Sequence, residues 1–126
     1  METIRVLLVD DEEEFRKTLA TRLQMRNLEI TENDSGEAAL ETMNHQTFDV
    51  VVLDIRMPGM DGIETLQRIK KLQPGAEVIM LTGHASMESG IDGMYFGAFD
   101  YLMKPCDIND LIVKIQNACQ RKSQPA

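Results

Sequence analysis

Basic residues are scarce in this sequence, and no long apolar run is present. Lys and Arg number 13 against 21 Asp and Glu, which gives a net charge of −8. Because no basic stripe can form, direct binding of nucleic acid by this chain is disfavoured. No apolar segment approaches the roughly 20 residues of a membrane span, and the N-terminus has no signal-peptide pattern. We therefore expect a cytoplasmic protein with neither nucleic acid nor membrane as its partner.

Cysteine is also scarce. The two cysteines, Cys106 and Cys119, lack metal-ligand spacing, so reduced thiols in a reducing compartment are expected. The 126 residues fit one domain with a real core, and 43% hydrophobic with 27% charged residues is ordinary for a soluble globular protein. We assign residues 1–121 to one domain and residues 122–126 to a frayed polar tail.

Short apolar runs alternate with amphipathic stretches about five times, the pattern of βα units in a parallel sheet. The apolar runs lack polar alternation, which is typical of strands covered on both faces. Predicted strands cover residues 4–9, 28–32, 49–53, 77–81 and 100–103. Predicted helices cover residues 12–26, a segment capped by Ser35, a segment capped by Asp61 that stops before Pro74, and residues 86–96 and 108–120.

The predicted fourth helix, residues 86–96, contains the interior glycines Gly90 and Gly93. Each interior glycine costs about 0.8–1 kcal/mol relative to alanine, so this helix should be the least stable. Its spacing predicts that Met87, Ile91 and Met94 point inward. Close packing or a loosely formed element is the favoured explanation of the glycines, and a functional shift of the helix is the alternative.

Acidic residues follow two of the predicted strands. Asp10 and Asp11 come directly after the first strand, and Asp54 comes after the third. The carboxyl ends of parallel strands share one edge, where ligand sites form. Three close carboxylates repel one another, and a hard divalent cation relieves that repulsion. A metal-dependent acidic site is therefore predicted, although Asp10 and Asp11 also suit a helix N-terminus and Asp54 suits a turn.

A lysine, Lys104, lies at the end of the last predicted strand. Lysine is rarely buried without a partner, so an acidic partner is expected for Lys104. The charges of three carboxylates, one lysine and one Mg²⁺ would sum to zero. Metal and lysine together would thus offset the repulsion that either alone would leave.

Four motifs stand in order at predicted strand ends: VDD at 9–11, LDIRMPGMDG at 53–62, LTG at 81–83 and DYLMKP at 100–105. With these motifs the chain resembles a response-regulator receiver domain of bacterial two-component signalling, of the type of the chemotaxis regulator. The resemblance covers nearly the whole chain, so residues 1–121 would be the receiver domain. It implies an α/β, flavodoxin-like, doubly wound parallel sheet of five strands in the order 2-1-3-4-5, with five helices.

The resemblance implies that Asp54 is the phosphoacceptor. It would take the phosphoryl group from the phosphohistidine of a histidine kinase and form an acyl phosphate. Mg²⁺ would be held by Asp11, Asp54 and the backbone carbonyl of Arg56, while Asp10 would act through water. Magnesium prefers oxygen ligands and keeps several waters, which suits this small set of ligands.

The resemblance also assigns roles to residues around the acceptor. Thr82 and Lys104 would stabilise the phosphoryl group, and the peptide before Pro105 would be cis. Thr82 and Tyr101 would form the switch that alters the surface of the fourth helix, fifth strand and fifth helix. An ordinary strand threonine and a half-buried tyrosine are the plain alternatives for these two residues.

Arg56 and His84 lie two residues beyond Asp54 and Thr82, at positions that vary within the family. They would border the mouth of the site. We hypothesise that one or both alter the access of hydrolytic water and thereby tune the lifetime of the phosphoryl group.

The favoured function is a phosphorylation-dependent regulatory switch that assists its own phosphorylation and dephosphorylation without being a turnover enzyme. Its partners would be a sensor histidine kinase or phosphotransfer protein, a downstream effector or output domain, and, on phosphorylation, a second copy of the chain. Three other classes stay open: a phosphatase with an aspartyl nucleophile, a flavodoxin-like cofactor binder and an unphosphorylated interaction module. The four acidic residues at 10–13 disfavour a flavin phosphate unless a metal intervenes.

Overall fold

The strands pair in parallel and form one five-stranded sheet. The computed structural model describes residues 3–24, 27–55, 60–83 and 93–123. The strands are β1 (Ile4–Val9), β2 (Leu28–Asn33), β3 (Val50–Asp54), β4 (Glu77–Thr82) and β5 (Asp100–Met103), in the order β2-β1-β3-β4-β5. The helices are α1 (Glu13–Gln24), α2 (Gly36–Met43), α3 (Gly62–Leu72) and the C-terminal helix (Ile108–Ser123), and residues 93–95 add a helical turn. The predicted flavodoxin-like, doubly wound fold is confirmed.

The central strands bury side chains on both faces of the sheet. The core under α2 and α3 is formed mainly by Leu7, Val9, Val51, Leu53, Ala39, Met43, Leu66 and Ile69. The core under α1 and the C-terminal helix is formed mainly by Val6, Leu8, Val50, Val52, Leu19, Leu23, Leu111 and Ile115. Two-sided burial is what uninterrupted apolar strands predict, and it leaves the carboxyl edge of the sheet as the place where polar side chains meet.

Both predicted helix caps are present. The Oγ atom of Ser35 accepts a hydrogen bond from the backbone nitrogen of Ala38 at 3.1 Å, and Oδ1 of Asp61 accepts one from that of Glu64 at 2.8 Å. Such caps contribute about 1 kcal/mol each, because they satisfy backbone donors that have no partner within the helix. They fix where α2 and α3 begin. At the other end, α3 stops at Leu72, before Pro74.

Two differences from the predicted element boundaries matter for the site and the tail, and the other boundaries that differ do so by one or two residues. Strand β3 extends to Asp54, which pairs with Leu81 of β4, so the acidic residue is the last residue of the strand instead of the first residue of a loop. The C-terminal helix continues to Ser123, so residues 122 and 123, assigned to the tail, are helical. No glycine or proline interrupts this stretch, and its Gln, Arg and Lys residues are good helix formers. No helix in the described parts of the chain is long and apolar enough to cross a membrane.

The predicted inward orientation of Met94 is wrong, because 41% of this residue is exposed. Gly93 is buried in its place, and a Cβ atom at position 93 would lie 3.1 Å from Cγ of Met80. The turn thus presents its small residue to the sheet, which fits the close-packing explanation of this glycine. Met87, Ile91 and Gly90, with the rest of the predicted fourth helix before residue 93, lie outside the described residues.

Candidate functional site

The carboxyl ends of β1, β3 and β5 bring three charged side chains together. Asp10 is fully buried and Asp54 is 4% exposed. The Nζ atom of Lys104 lies 2.9 Å from Oδ2 of Asp10 and 3.5 Å from Oδ2 of Asp54. The acidic partner expected for Lys104 is therefore present, and strands distant in sequence supply it.

A further carboxylate, that of Glu12, joins this group. Its Oε1 atom accepts a hydrogen bond from Nζ of Lys104 at 2.8 Å. We call Asp10, Glu12, Asp54 and Lys104 the Lys104 cluster. The sequence analysis used Glu12 only as part of an acidic loop and missed this contact. The only indication of this contact in the sequence is that Glu12 lies two residues after Asp10.

Lys104 is held on several sides. Its backbone nitrogen donates to the carbonyl oxygen of Thr82 at 2.6 Å, and the Lys104–Pro105 peptide bond is cis. Its Nζ atom lies 4.5 Å from the centroid of the Phe15 ring, within the range of a cation–π interaction. The lysine therefore reaches inward beneath the start of α1 and is only 15% exposed.

The Lys104 cluster carries unbalanced charge. Burial by itself would lower the pKa of Lys104, but its contacts with Glu12 and Asp10 and the charge of Asp54 outweigh burial and raise that pKa well above its ordinary value. With all groups ionised, three carboxylates and one ammonium leave a charge of −2. The charge of one divalent cation would cancel this excess.

The loop after β1 is fixed by a buried arginine that the sequence analysis missed. Arg16 is 9% exposed, and its Nη1 atom donates to the backbone oxygen of Asp10 at 2.8 Å. Its Nε atom donates to Oε1 of Glu32 at 3.0 Å. A signal was available, because Arg16 lies at helical spacing with the buried residues Leu19 and Leu23. A basic residue on an apolar stripe requires a partner.

The donor atoms fit a hard cation. Carboxylate oxygens of Asp10, Glu12 and Asp54 lie within 4.8 Å of one another, and oxygen is the ligand type that Mg²⁺ prefers. Oδ2 of Asp10 is buried and makes its ionic contact with Lys104 without hydrogen-bond geometry, so this oxygen retains bonding capacity. Among the described residues Asp11 is outside this group, and it is exposed. Asp11 stays a predicted ligand, and Arg56 lies outside the described residues.

The two predicted switch residues lie on neighbouring strands. Thr82 is fully buried at the end of β4, and its Oγ1 atom donates a long hydrogen bond of 3.5 Å to the carbonyl oxygen of Leu102. Tyr101 is half-buried on β5 and packs against the core under α2 and α3. Thr82 thus has a weakly engaged hydroxyl at the carboxyl edge. His84, the other predicted residue near this strand end, lies outside the described residues.

The start of α3 contacts the end of β3 directly. The backbone nitrogen of Gly62 donates to the carbonyl oxygen of Ile55 at 2.9 Å. A Cβ atom at position 62 would lie 2.5 Å from Cα of Ile55 and 3.0 Å from the carbonyl oxygen of Asp54. Only glycine permits this approach without a shift of the backbone.

The cysteines do not contribute to the Lys104 cluster. Neither Cys106 nor Cys119 is in a disulfide, which agrees with the predicted reduced thiols. Burial raises the pKa of the Cys106 thiol, although the nearby charge of Lys104 acts in the opposite direction. A raised pKa keeps the thiol protonated and weakly nucleophilic.

The family model described as the response regulator receiver domain matches residues 6–116. The chain belongs to this family. The regulatory protein AtoC of Escherichia coli is 37% identical to this receiver domain over 94% of the chain, and the DNA-binding transcriptional regulator NtrC of Klebsiella pneumoniae is also 37% identical over 94%. The receiver domain spans only 26% of the length of each of these relatives.

A solved structure of similar shape is the receiver domain of Francisella response regulator 1452. It superposes with a TM-score of 0.87 at 31% identity, over 96% of this chain and 100% of that one. Both kinds of comparison thus agree with the observed sheet order and with the resemblance found in the sequence. The chain is a regulatory receiver domain of two-component signal transduction.

Proposed function

We propose that this receiver domain is switched by transfer of a phosphoryl group to Asp54. The supporting observation is the environment of this side chain: a nearly buried carboxylate at the end of β3 with the ammonium of Lys104 at 3.5 Å. Phosphoryl transfer depends on charge neutralisation and in-line positioning more than on acid–base chemistry. A carboxylate that already faces a fixed cation meets the first of these requirements.

The donor would be the phosphohistidine of a sensor kinase or phosphotransfer protein. A carboxylate oxygen of Asp54 attacks phosphorus, the phosphorus–nitrogen bond breaks, and its electron pair leaves with the histidine nitrogen. Lys104 neutralises the phosphoryl oxygens, and the hydroxyl of Thr82 donates to one of them. A bound Mg²⁺ would supply further charge neutralisation. It would be held by Asp54 and Asp11 and, as the resemblance implies, by the carbonyl of Arg56, with Asp10 acting through water.

The output of the switch would be a change in surface. If Thr82 moves towards the phosphoryl group, it gives up its long hydrogen bond to Leu102 and vacates space beside β5. The ring of Tyr101 could then turn further inward. The surface formed by residues 86–96, β5 and the C-terminal helix would change, and a partner that prefers the altered surface would shift the equilibrium towards it.

The partner on the output side is an effector or an output domain. NtrC is named a DNA-binding regulator, and this receiver domain spans about a quarter of its length, which supports control of a separate output region. The receiver itself would contact neither nucleic acid nor membrane. Phosphorylation could also favour a homodimer, and Arg56 and His84 would tune the lifetime of the phosphoryl group.

The test is the intact mass of the protein after incubation with acetyl phosphate and Mg²⁺. We expect the wild type to gain one phosphoryl group and Asp54→Asn to gain none, because the amide is not a phosphoacceptor. Asp61→Asn is the matched control, since it removes one carboxylate while asparagine still caps α3. An equal mass gain in wild type and Asp54→Asn would place the acceptor elsewhere.

The same samples can test the switch. Hydrogen exchange with and without beryllofluoride should differ in residues 86–96 and in β5. Identical protection in both states would exclude this surface as the output of the switch.

A further inference from the structure

The shortest ionic contact of Lys104 is with a residue other than the acceptor. Its Nζ atom lies 2.8 Å from Glu12, 2.9 Å from Asp10 and 3.5 Å from Asp54. The contact with Glu12 is a hydrogen bond as well as an ion pair. The lysine is therefore engaged more closely at the mouth of the site than at the acceptor.

Glu12 is placed for this contact by its backbone. Its nitrogen donates to Oδ1 of Asp10 at 2.9 Å, and its carbonyl oxygen accepts from the backbone nitrogen of Arg16 at 2.9 Å. The backbone of Glu12 is thus tied to both the first acidic residue and the first turn of α1. Its side chain is 64% exposed, so it closes over the outer side of the Lys104 ammonium.

We propose that Glu12 is a positioning residue that holds Lys104 towards the mouth of the site and opposes its move to the phosphoryl group. This inference rests on the proposed function of Asp54. When the phosphoryl group arrives, Lys104 can neutralise it fully only if its hydrogen bond with Glu12 loosens. A contact made best in the unphosphorylated form favours that form by the free energy of the contact.

The size of this effect follows from the exposure of Glu12. Exposed ion pairs contribute little because water and salt screen them, and the corresponding shift is about two- to fivefold in an equilibrium or a rate. Two variants separate the contact from the charge. Glu12→Gln removes the charge, whereas Glu12→Asp keeps it on a side chain that is one methylene shorter.

The first experiment measures the rate of phosphorylation by acetyl phosphate at saturating Mg²⁺ in wild type and variants. We expect about a two- to fivefold increase for both Glu12→Gln and Glu12→Asp. Glu13→Gln is the control, because Glu13 is exposed in the first turn of α1 and carries the same charge. Its rate should stay within error of the wild type.

The alternatives predict other outcomes. If Glu12 acts only through its charge on an anionic donor, Glu12→Asp will match the wild type, and positioning by contact is overturned. If Glu12 acts only as a metal ligand, Glu12→Gln will weaken Mg²⁺ binding without changing the rate at saturating Mg²⁺, and the proposal is again overturned.

A second measurement does not depend on phosphorylation. The ammonium protons of Lys104, observed by ¹⁵N NMR of the metal-free protein, should exchange faster with water in Glu12→Gln than in wild type or Glu13→Gln. Unchanged exchange would overturn the proposal. Failure of the wild type to take a phosphoryl group would count against the role of Asp54, while this measurement would still decide whether Glu12 holds Lys104.

Discussion

Two lysines of this receiver domain make several polar contacts each, and they lie at opposite ends of the strands: Lys70 at the amino end of β4 and Lys104 at the carboxyl ends of β1 and β3. Lys70, near the end of α3, donates to the carbonyl oxygens of Pro74 at 3.0 Å and Ala76 at 2.8 Å and to Oε1 of Glu77 at 3.2 Å. We call this group the Lys70 cluster. It joins the end of α3 to the start of β4 with one positive and one negative charge, so it is electrically balanced.

The Lys104 cluster differs from the Lys70 cluster in its net charge, and its members come from distant parts of the sequence. It places one ammonium among three carboxylates, two of them almost completely buried. An ion pair of one ammonium and one carboxylate has no net charge left for a further ion to offset. An unbalanced group has a remaining charge that a cation can offset, which is a property of a binding site. The two lysines thus differ in the number of carboxylates around them, one at Lys70 and three at Lys104.

The largest expected effect comes from removing each lysine in turn. Lys104→Met leaves two buried carboxylates without their cation and should cost about 3 kcal/mol of unfolding free energy. Lys70→Met should cost about 2 kcal/mol, because only one buried carboxylate, that of Glu77, loses its ammonium partner. Urea denaturation at neutral pH without divalent metal measures both values. Equal losses would show that the charge imbalance has no energetic consequence.

A smaller effect is expected from Mg²⁺. Binding to the native state should raise the unfolding free energy of the wild type, by about 2.7 kcal/mol at a metal concentration 100-fold above the dissociation constant. The gain should shrink in Asp54→Asn, and Glu77→Gln in the Lys70 cluster should leave it unchanged. Denaturation curves with Mg²⁺ and with a chelator give these differences. A gain that Asp54→Asn leaves intact would place the metal elsewhere.

The smallest effect concerns alkaline pH. The pKa of Lys104 is higher in the folded protein than its ordinary value of 10.5, so its stabilisation is complete below pH 10.5 and is lost as pH rises towards the folded pKa. By pH 11 the wild type should lose up to about 0.8 kcal/mol relative to Lys104→Met. Urea denaturation of both proteins at pH 8, 10 and 11 measures this difference. A constant difference across the three pH values would contradict the raised pKa.

The sequence predicted the sheet and the meeting of Asp10, Asp54 and Lys104, because the carboxyl ends of parallel strands share an edge. It did not predict that Glu12, and not Asp11, contacts Lys104. Both residues belong to the short loop after β1, and loop conformation decides which of them turns towards the site. Apolar periodicity carries no information about that choice.

The positions of Arg16 and Met94 also could not be predicted from apolar periodicity alone. The sequence analysis did not single out Arg16, although it lies on the stripe of α1 that faces the sheet. Its burial depends on Glu32 and on the backbone of Asp10, and those partners are known only once the fold is known. For Met94, helical spacing fixed the period of the predicted helix but not which residue of the turn faces the sheet. Gly93 takes that place because Met80 leaves little room.

The geometry beside Asp54 also depends on the absence of a Cβ atom at Gly62. With no side chain at Gly62, the first turn of α3 packs against the backbone of Ile55, the residue that follows β3. This contact sets how closely α3 approaches the end of β3, and therefore the distance between α3 and Asp54. A single added carbon atom would not fit between Gly62 and Ile55, so a residue that carries no charge determines this distance.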